Sequence, residues 1–215
     1  MMLQMIQVLR VSISRMGIIA VFILTVSSAF AEGPAGIVLY LVEGQNVFLL
    51  LADHSKHTRG WSAFGGGADP GETQQATAAR ETYEETRGYF SQVWLSQQIS
   101  KQEPVRSKGY SMYFVEVPFV PAQRVMNNPT EEKNKAMVER RCYAWIPFSE
   151  IEAILEKDNL STEHLRMNPL YLPACSKSDS FWHSWIKNMH GAMKQGAFPW
   201  SSPVTNTKQQ PECEK

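Results

Sequence analysis

The chain has 215 residues, 43% of them hydrophobic and 20% charged, with 21 basic against 21 acidic side chains. That suffices for one domain of ordinary size with its own core, and it excludes a chain that is disordered throughout. Balanced charge excludes a general electrostatic grip on nucleic acid, and three cysteines are too few for a disulfide-built scaffold.

Residues 1–31 differ from all that follows. Arg10 and Arg15 are their only charges, an apolar run fills Met16–Val26, and Ala29-Phe30-Ala31 places small residues before Glu32. A basic start, a short apolar middle and small residues at −3 and −1 predict a cleavable export signal. An uncleaved membrane anchor and a buried first helix are the alternatives, although the run is shorter than the ~20 residues that span a bilayer. Cleavage after Ala31 predicts a periplasmic or secreted protein without stable membrane association, working where disulfides persist. Cys142, Cys175 and Cys213 then allow one pair and leave one thiol, and nothing in their spacing selects the pair.

Past Glu32, Ala35–Val42 and Val47–Ala52 are apolar runs joined by Glu43-Gly44-Gln45-Asn46, a hairpin of strands buried on both faces. Asp53–Gly60 reads as polar loop. Trp61–Phe64 is a short apolar segment running into Gly65-Gly66-Gly67, and Asp69-Pro70-Gly71 is a turn. Thr73 to about Arg87 has a helical pattern without internal Gly or Pro. Tyr110–Val117 and Cys142–Ile146 read as strands, with Asn127–Lys135 as polar loop between them. Ser149-x-x-Glu152 resembles a capping box opening a helix that groups Ile151, Ile154 and Leu155. A last helix is expected over Ser178–Lys194, its Phe181, Trp182, Trp185, Ile186, Met189 and Met193 forming a core stripe. The expected organisation is a leader over 1–31, a domain with a C-terminal helical extension over 32–197, and a loose tail over 198–215.

At about 100° per residue, Glu84 falls near 300° and Glu85 near 40° from Glu81, so three carboxylates share one arc of the Thr73–Arg87 helix. Ala76, Ala79, Tyr83 and Thr86 occupy the opposite side, expected to be buried. Like charges at these spacings repel unless a cation compensates them. Carboxylate and backbone oxygens hold hard divalent cations, and the glycine turn just upstream lets main chain approach a phosphate. Taken alone, the glutamates equally describe a solvated acidic face. Their spacing goes further. Gly66, five residues, Glu72, seven residues, then Arg80-Glu81-x-x-Glu84-Glu85 is similar to the Nudix hydrolase signature, G-x5-E-x7-R-E-U-x-E-E-x-G-U, at all six fixed positions through Glu85.

The resemblance extends over about 35–157 and implies an α/β/α sandwich with a mixed sheet. It implies a hydrolase of nucleoside diphosphates linked to another group, using Mg²⁺ or Mn²⁺. Glu81, Glu84 and Glu85 would hold the metal with the Gly65 carbonyl. Gly66 would shape the turn, and Arg80 would pair with Glu72 and orient the acids. Glu81 or Glu84 would be the general base, with Glu139 as an external candidate and Glu131 and Glu132 as weaker ones. Where the family has Gly and then an aliphatic residue, this chain has Arg87 and Gly88, and Thr82 replaces another aliphatic; Gly88 is expected to cap the helix one residue late. His54, His57, His164, His183 and His190 form no metal-type pair. Trp61, Tyr113 and Trp145 are candidates for stacking on a base, or else buried strand aromatics.

The expected partner is a small nucleotide-like diphosphate, with no nucleic acid and with a homodimer left open. The competing functions are a catalytically silent nucleotide-binding sensor and a diphosphoinositol or dinucleoside polyphosphate hydrolase. The last requires a basic rim, for which Lys101, Arg106 and Lys108 are the candidates.

Overall fold

The computed structural model describes residues 33–54, 59–130, 134–157 and 160–201. The leader, Cys213, His57, Glu131 and Glu132 lie outside the described residues. The first hairpin is the frame: β1 (Ala35–Glu43) and β2 (Asn46–His54) pair antiparallel from Tyr40↔Leu49 to Glu43↔Asn46. Beyond that register, β3 (Trp61–Ser62) takes up the edge of β2 and β4 (Phe64–Gly66) that of β1. The helix α1 (Gln74–Glu85) follows, capped by the Thr73 hydroxyl, and then α2 (Gln92–Ile99), which was not anticipated. A second hairpin, β5 (Val105–Ser107) and β6 (Tyr110–Glu116), lays β6 parallel to β1, which makes the sheet mixed. After the short α3 (Ala122–Met126), β7 (Arg140–Pro147) pairs antiparallel with β2, and α4 (Phe148–Leu155) and α5 (His183–Lys194) complete the order.

Alternation along the central strands sorts the core into two layers. Ile37, Leu39, Leu50, Ala52, Tyr113 and Val115 pack with α1, α2 and α3. Val38, Tyr40, Leu49, Leu51, Met112 and Phe114 pack with α4 and α5. This is the expected α/β/α sandwich, its strands buried on both faces because helices cover both.

Four local expectations are corrected. The helix α4 starts at Phe148 behind Pro147, with no side-chain cap, so Ser149 and Glu152 form no capping box. The last helix starts at His183, not Ser178, because the preceding residues extend the sheet: Trp61 donates its amide to Ser180 O (2.9 Å) and Trp182 donates to Trp61 O (2.8 Å). The tail also begins later than 198. Phe198 is buried and Trp200 stacks on it at 5.1 Å while meeting Tyr40, Phe114 and Phe148, so aromatic burial holds the chain as far as Trp200. Finally, Asp53 and His54 are buried β2 residues rather than loop.

The C-terminal extension is joined to the sheet covalently and by polar contacts. Cys142 and Cys175 form a disulfide, and Asp53 Oδ2 accepts from the amides of Lys177 (2.6 Å) and Ser178 (3.1 Å). The Trp61 indole donates to Ser178 O at 2.9 Å. Since Asp53 and Cys142 face one another in the β2–β7 register, these ties converge on one point of the sheet.

Candidate active site

The glycine turn of β4 and the helix α1 meet along the carboxylates. Gly66 is packed directly under the Glu81 carboxylate, so any side chain there would displace the acid. Arg80 is the hub: its Nε donates to Glu72 Oε1 (2.8 Å), its NH1 to Glu81 Oε1 (3.0 Å) and Glu84 Oε2 (3.1 Å), and its NH2 to Gly67 O (2.8 Å). Glu72 also accepts from the Asp69 amide and the Thr77 hydroxyl. The Arg80 hydrogen bond is the main cause that lowers the Glu72 carboxyl to about 2, and the same bonds push the Arg80 guanidinium upward. Gly66, Glu72 and Arg80 thus touch one another's acid partners: Gly66 packs on Glu81, and Arg80 bridges Glu72 to Glu81 and Glu84.

Glu81 behaves oppositely. Burial, reinforced by the charges of Glu85 and Glu84 and opposed by Arg80, pushes its carboxyl up to about 7. A carboxyl that exchanges its proton near neutrality is suited to general acid–base work.

Glu85 is where the structure departs most from expectation. Of the face expected to be buried, Ala79 and Thr86 are buried and Ala76 and Tyr83 half-buried, and burial extends to Ala78, Thr82 and Glu85, because alanine is indifferent to burial and marks a face poorly. Glu85 is only 4% exposed, and both its oxygens are engaged. Oε2 accepts from the Gly65 amide (2.8 Å), and Oε1 accepts from Arg140 Nε (2.8 Å). Arg140 is fully buried and donates further to Ala52 O (3.2 Å) and Ser62 Oγ (3.1 Å), so each face of the pair is satisfied. Desolvation nonetheless drives the Glu85 carboxyl upward, against Arg140 and the Gly65 amide. The expected convergence of Glu81, Glu84 and Glu85 is therefore not formed. Arg80 gathers the first two, Arg140 draws the third inward, and among the described residues no three His, Cys, Asp or Glu side chains make a ready metal cluster.

Sequence reasoning missed Arg140 for a physical reason. The register of β7 on β2 breaks between Asp53 and His54, where a bulge passes over Arg141 and turns Arg140 toward α1. Strict alternation would have put Arg140 on the opposite face from Tyr143, whose hydroxyl also reaches this helix, donating to Glu85 O at 2.7 Å.

The helix exit differs from the expected late cap. The Arg87 amide donates to Glu84 O and the Gly88 amide to Tyr83 O, the paired bonds of a Schellman end in its usual place, with Arg87 (φ 57°) taking the left-handed position normally given to glycine. Its side chain reaches Asn128 O (3.4 Å) and Thr130 Oγ1 (3.2 Å), tying α1 to the segment before β7. Thr82 is buried with its hydroxyl oxygen unpartnered among the described residues.

Gly65, Gly66, Glu81 and Glu85 line a cavity of about 600 Å³, whereas Glu72, Arg80 and Glu84 lie outside its lining. Glu139 also lines it, 3.4 Å from His54 Nδ1. Trp61 and Tyr113 are buried, and Trp145 donates its indole N–H to Val120 O, so none of the three lines the cavity as a stacking face. Trp182, expected in the core stripe, packs against the core and also lines the cavity. Of the expected basic rim only Lys108 reaches the cavity, joined there by Arg59 and Lys187.

The NUDIX domain model matches residues 33–169. No curated protein matches the chain. Similar solved structures include an Ap4A hydrolase binary complex from C. elegans, 20% identical, covering 58% of this chain and 86% of that one with a TM-score of 0.37. They also include a MutT/nudix family protein from Enterococcus faecalis, 14% identical, covering 75% of this chain and 61% of that one with a TM-score of 0.38. With its signature residues on β4, the turn after it and α1 against a mixed sheet, and the family model spanning most of its length, the chain belongs to the NUDIX domain family and is a hydrolase acting on phosphoanhydride bonds.

Proposed function

We propose that the protein is a metal-dependent pyrophosphohydrolase cleaving a nucleoside diphosphate-linked substrate, with Glu81 as general base. The observation that carries this reading is the placement of Glu81, packed over Gly66 in the Gly65–Gly67 turn and on the wall of a cavity of about 600 Å³. Glu84 and the Gly65 carbonyl complete the donor set, while Glu72 and Arg80 fix the orientation of the acids.

The donor chemistry of Glu81 and Glu84 fits a hard divalent cation, since each is a carboxylate with one oxygen outside the Arg80 contacts. Glu85 fits only if it gives up Arg140 or the Gly65 amide. When bound, Mg²⁺ or Mn²⁺ would supply charge neutralisation for the phosphate oxygens. The capture of the carboxylates by Arg80 and Arg140 favours, as second reading, a nucleotide-binding sensor.

Phosphate release from ADP-ribose, NADH, dinucleoside polyphosphates and nucleoside triphosphates, with Mg²⁺ and with EDTA, separates the two. The expected outcome is Mg²⁺-dependent turnover that Glu81→Gln slows by roughly 10²–10⁴-fold. Absence of turnover throughout, with nucleotide binding unchanged by Glu81→Gln, leaves the sensor. We also propose export, supported by the leader pattern of residues 1–31 and by the Cys142–Cys175 disulfide. The native protein is expected to begin at Glu32, and an intact Met1 in a cytosolic fraction would overturn that.

A further inference from the structure

The far wall of the cavity is built from residues beyond the family-matched 33–169. The extended segment that pairs with Trp61 brings in Trp182, and the first turns of α5 bring in Trp185 and Lys187. Gly191 of α5 is packed directly against Ser107, and Gln195 donates to Arg106 O at 3.1 Å, so this wall is continuous with the turn between β5 and β6.

That turn carries Lys108. It has two central residues, Lys108 (φ 49°) and Gly109 (φ 79°), in the left-handed conformations of a type I′ hairpin, which favour Asn, Asp or Gly. A lysine there works against local preference while setting a cation on the cavity rim. Arg59 lies across the same opening, its guanidinium 5.2 Å from the centre of the Trp182 ring. Among the described residues, Arg59, Lys108 and Lys187 form no ion pair with any carboxylate. Three cations thus share one opening, none of them directly paired, while the carboxylates of Glu81, Glu85 and Glu139 line the same cavity. A further donor points to the same need: Trp185, 4% exposed and lining the cavity, has a buried indole N–H with no hydrogen-bond partner among the described residues. Buried donors in native proteins nearly always find an acceptor. The start of α5 has no side-chain cap and adds positive potential on this side.

We propose that this C-terminal wall is an oligophosphate subsite. Arg59, Lys108 and Lys187 hold phosphate groups beyond the scissile anhydride, and the Trp185 indole supplies a hydrogen bond to the same ligand. The subsite rests on the hydrolase reading only for the identity of the opposite wall. It makes Lys187 and Arg59 specificity-determining residues for substrates with a long phosphate chain.

The test is calorimetric binding of inorganic tripolyphosphate and of pyrophosphate to the full chain in EDTA, which needs neither turnover nor metal. Tripolyphosphate is expected to bind more tightly than pyrophosphate. Lys187→Gln and Arg59→Gln should each weaken tripolyphosphate by roughly 3–10-fold, with pyrophosphate less affected and Lys187→Arg restoring most of the loss. Thermal melting of each variant checks that the fold is intact. Equal tripolyphosphate affinity in wild type and in the folded Arg59→Gln/Lys187→Gln double variant overturns the subsite, as does the absence of binding by wild type. If tripolyphosphate binds as expected while the substrate panel shows no turnover, the hydrolase reading fails and the subsite stands.

Discussion

The two arginines that manage the carboxylates of α1 sit at different depths and do different things. Arg80 is partly exposed, spreads its guanidinium over Glu72, Glu81, Glu84 and Gly67 O, and belongs to the same helix as two of its partners. Arg140 is fully buried, comes from β7, and serves Glu85 together with Ala52 O and Ser62 Oγ. The first is an orienting clamp at the edge of water. The second is an interior tie between helix and sheet, whose loss leaves a charge with no solvent to receive it. Similar ion pairs therefore have different consequences, and depth sets the difference.

The largest effect should come from splitting the buried pair. Arg140→Met is expected to destabilise the fold by about 3–5 kcal/mol in chemical denaturation, and Arg140→Met/Glu85→Leu to recover much of it, because an apolar pair needs no compensation. A double variant no more stable than the single one would mean that the pair is not the reason for the cost. Arg80→Met should cost less, about 1–2 kcal/mol, and its cost should shrink in 1 M salt, whereas that of Arg140→Met should not. Equal salt responses would break the distinction between clamp and tie.

The smallest effect is one of pH. Glu81 is raised in the fold to about 7 from 4.5, so its ionisation opposes folding as pH rises through that interval. In EDTA, Glu81→Gln should therefore stabilise the protein at pH 8 relative to pH 4.5, by about 1 kcal/mol or less once solvent screening of a partly exposed carboxyl is allowed for. Glu72 has the opposite sign. Lowered to about 2, it contributes stability that is present above 4.5 and is lost as pH falls toward 2. A Glu81→Gln gain that does not grow with pH would show that Glu81 is not the group under strain.

Local spacing was a good guide wherever the partners lie close in sequence. Arg80 and Glu72 are eight residues apart at the start of one helix, and the glycine turn adjoins them, so their pairing was legible. The central hairpin was legible too, since continuous apolar runs of strand length require cover on both faces, and the sandwich followed from the resemblance of the signature to its family. The extended segment before α5 was not, because Phe181, Trp182 and Trp185 suit a helix stripe as well as a strand joined to Trp61; backbone pairing across the fold decided. Cys142–Cys175 was one of several allowed pairs until the register of β2 and β7 placed Cys142 opposite Asp53, which anchors the loop after Cys175.

By itself the sequence determined the acidic helix, the glycine turn facing it, the mixed sandwich and the family. The helix and the turn follow from side-chain periodicity and short-range spacing, which act before the chain is folded, and the sandwich follows from the family that this spacing resembles. Only the tertiary structure decided that Glu85 turns inward to Arg140, that Trp182 and Lys187 wall the cavity, and that the chain stays packed as far as Trp200. A one-residue bulge reverses the face of every side chain beyond it, and contacts between residues 55 or more positions apart depend on such reversals, so they become fixed only when the sheet is assembled.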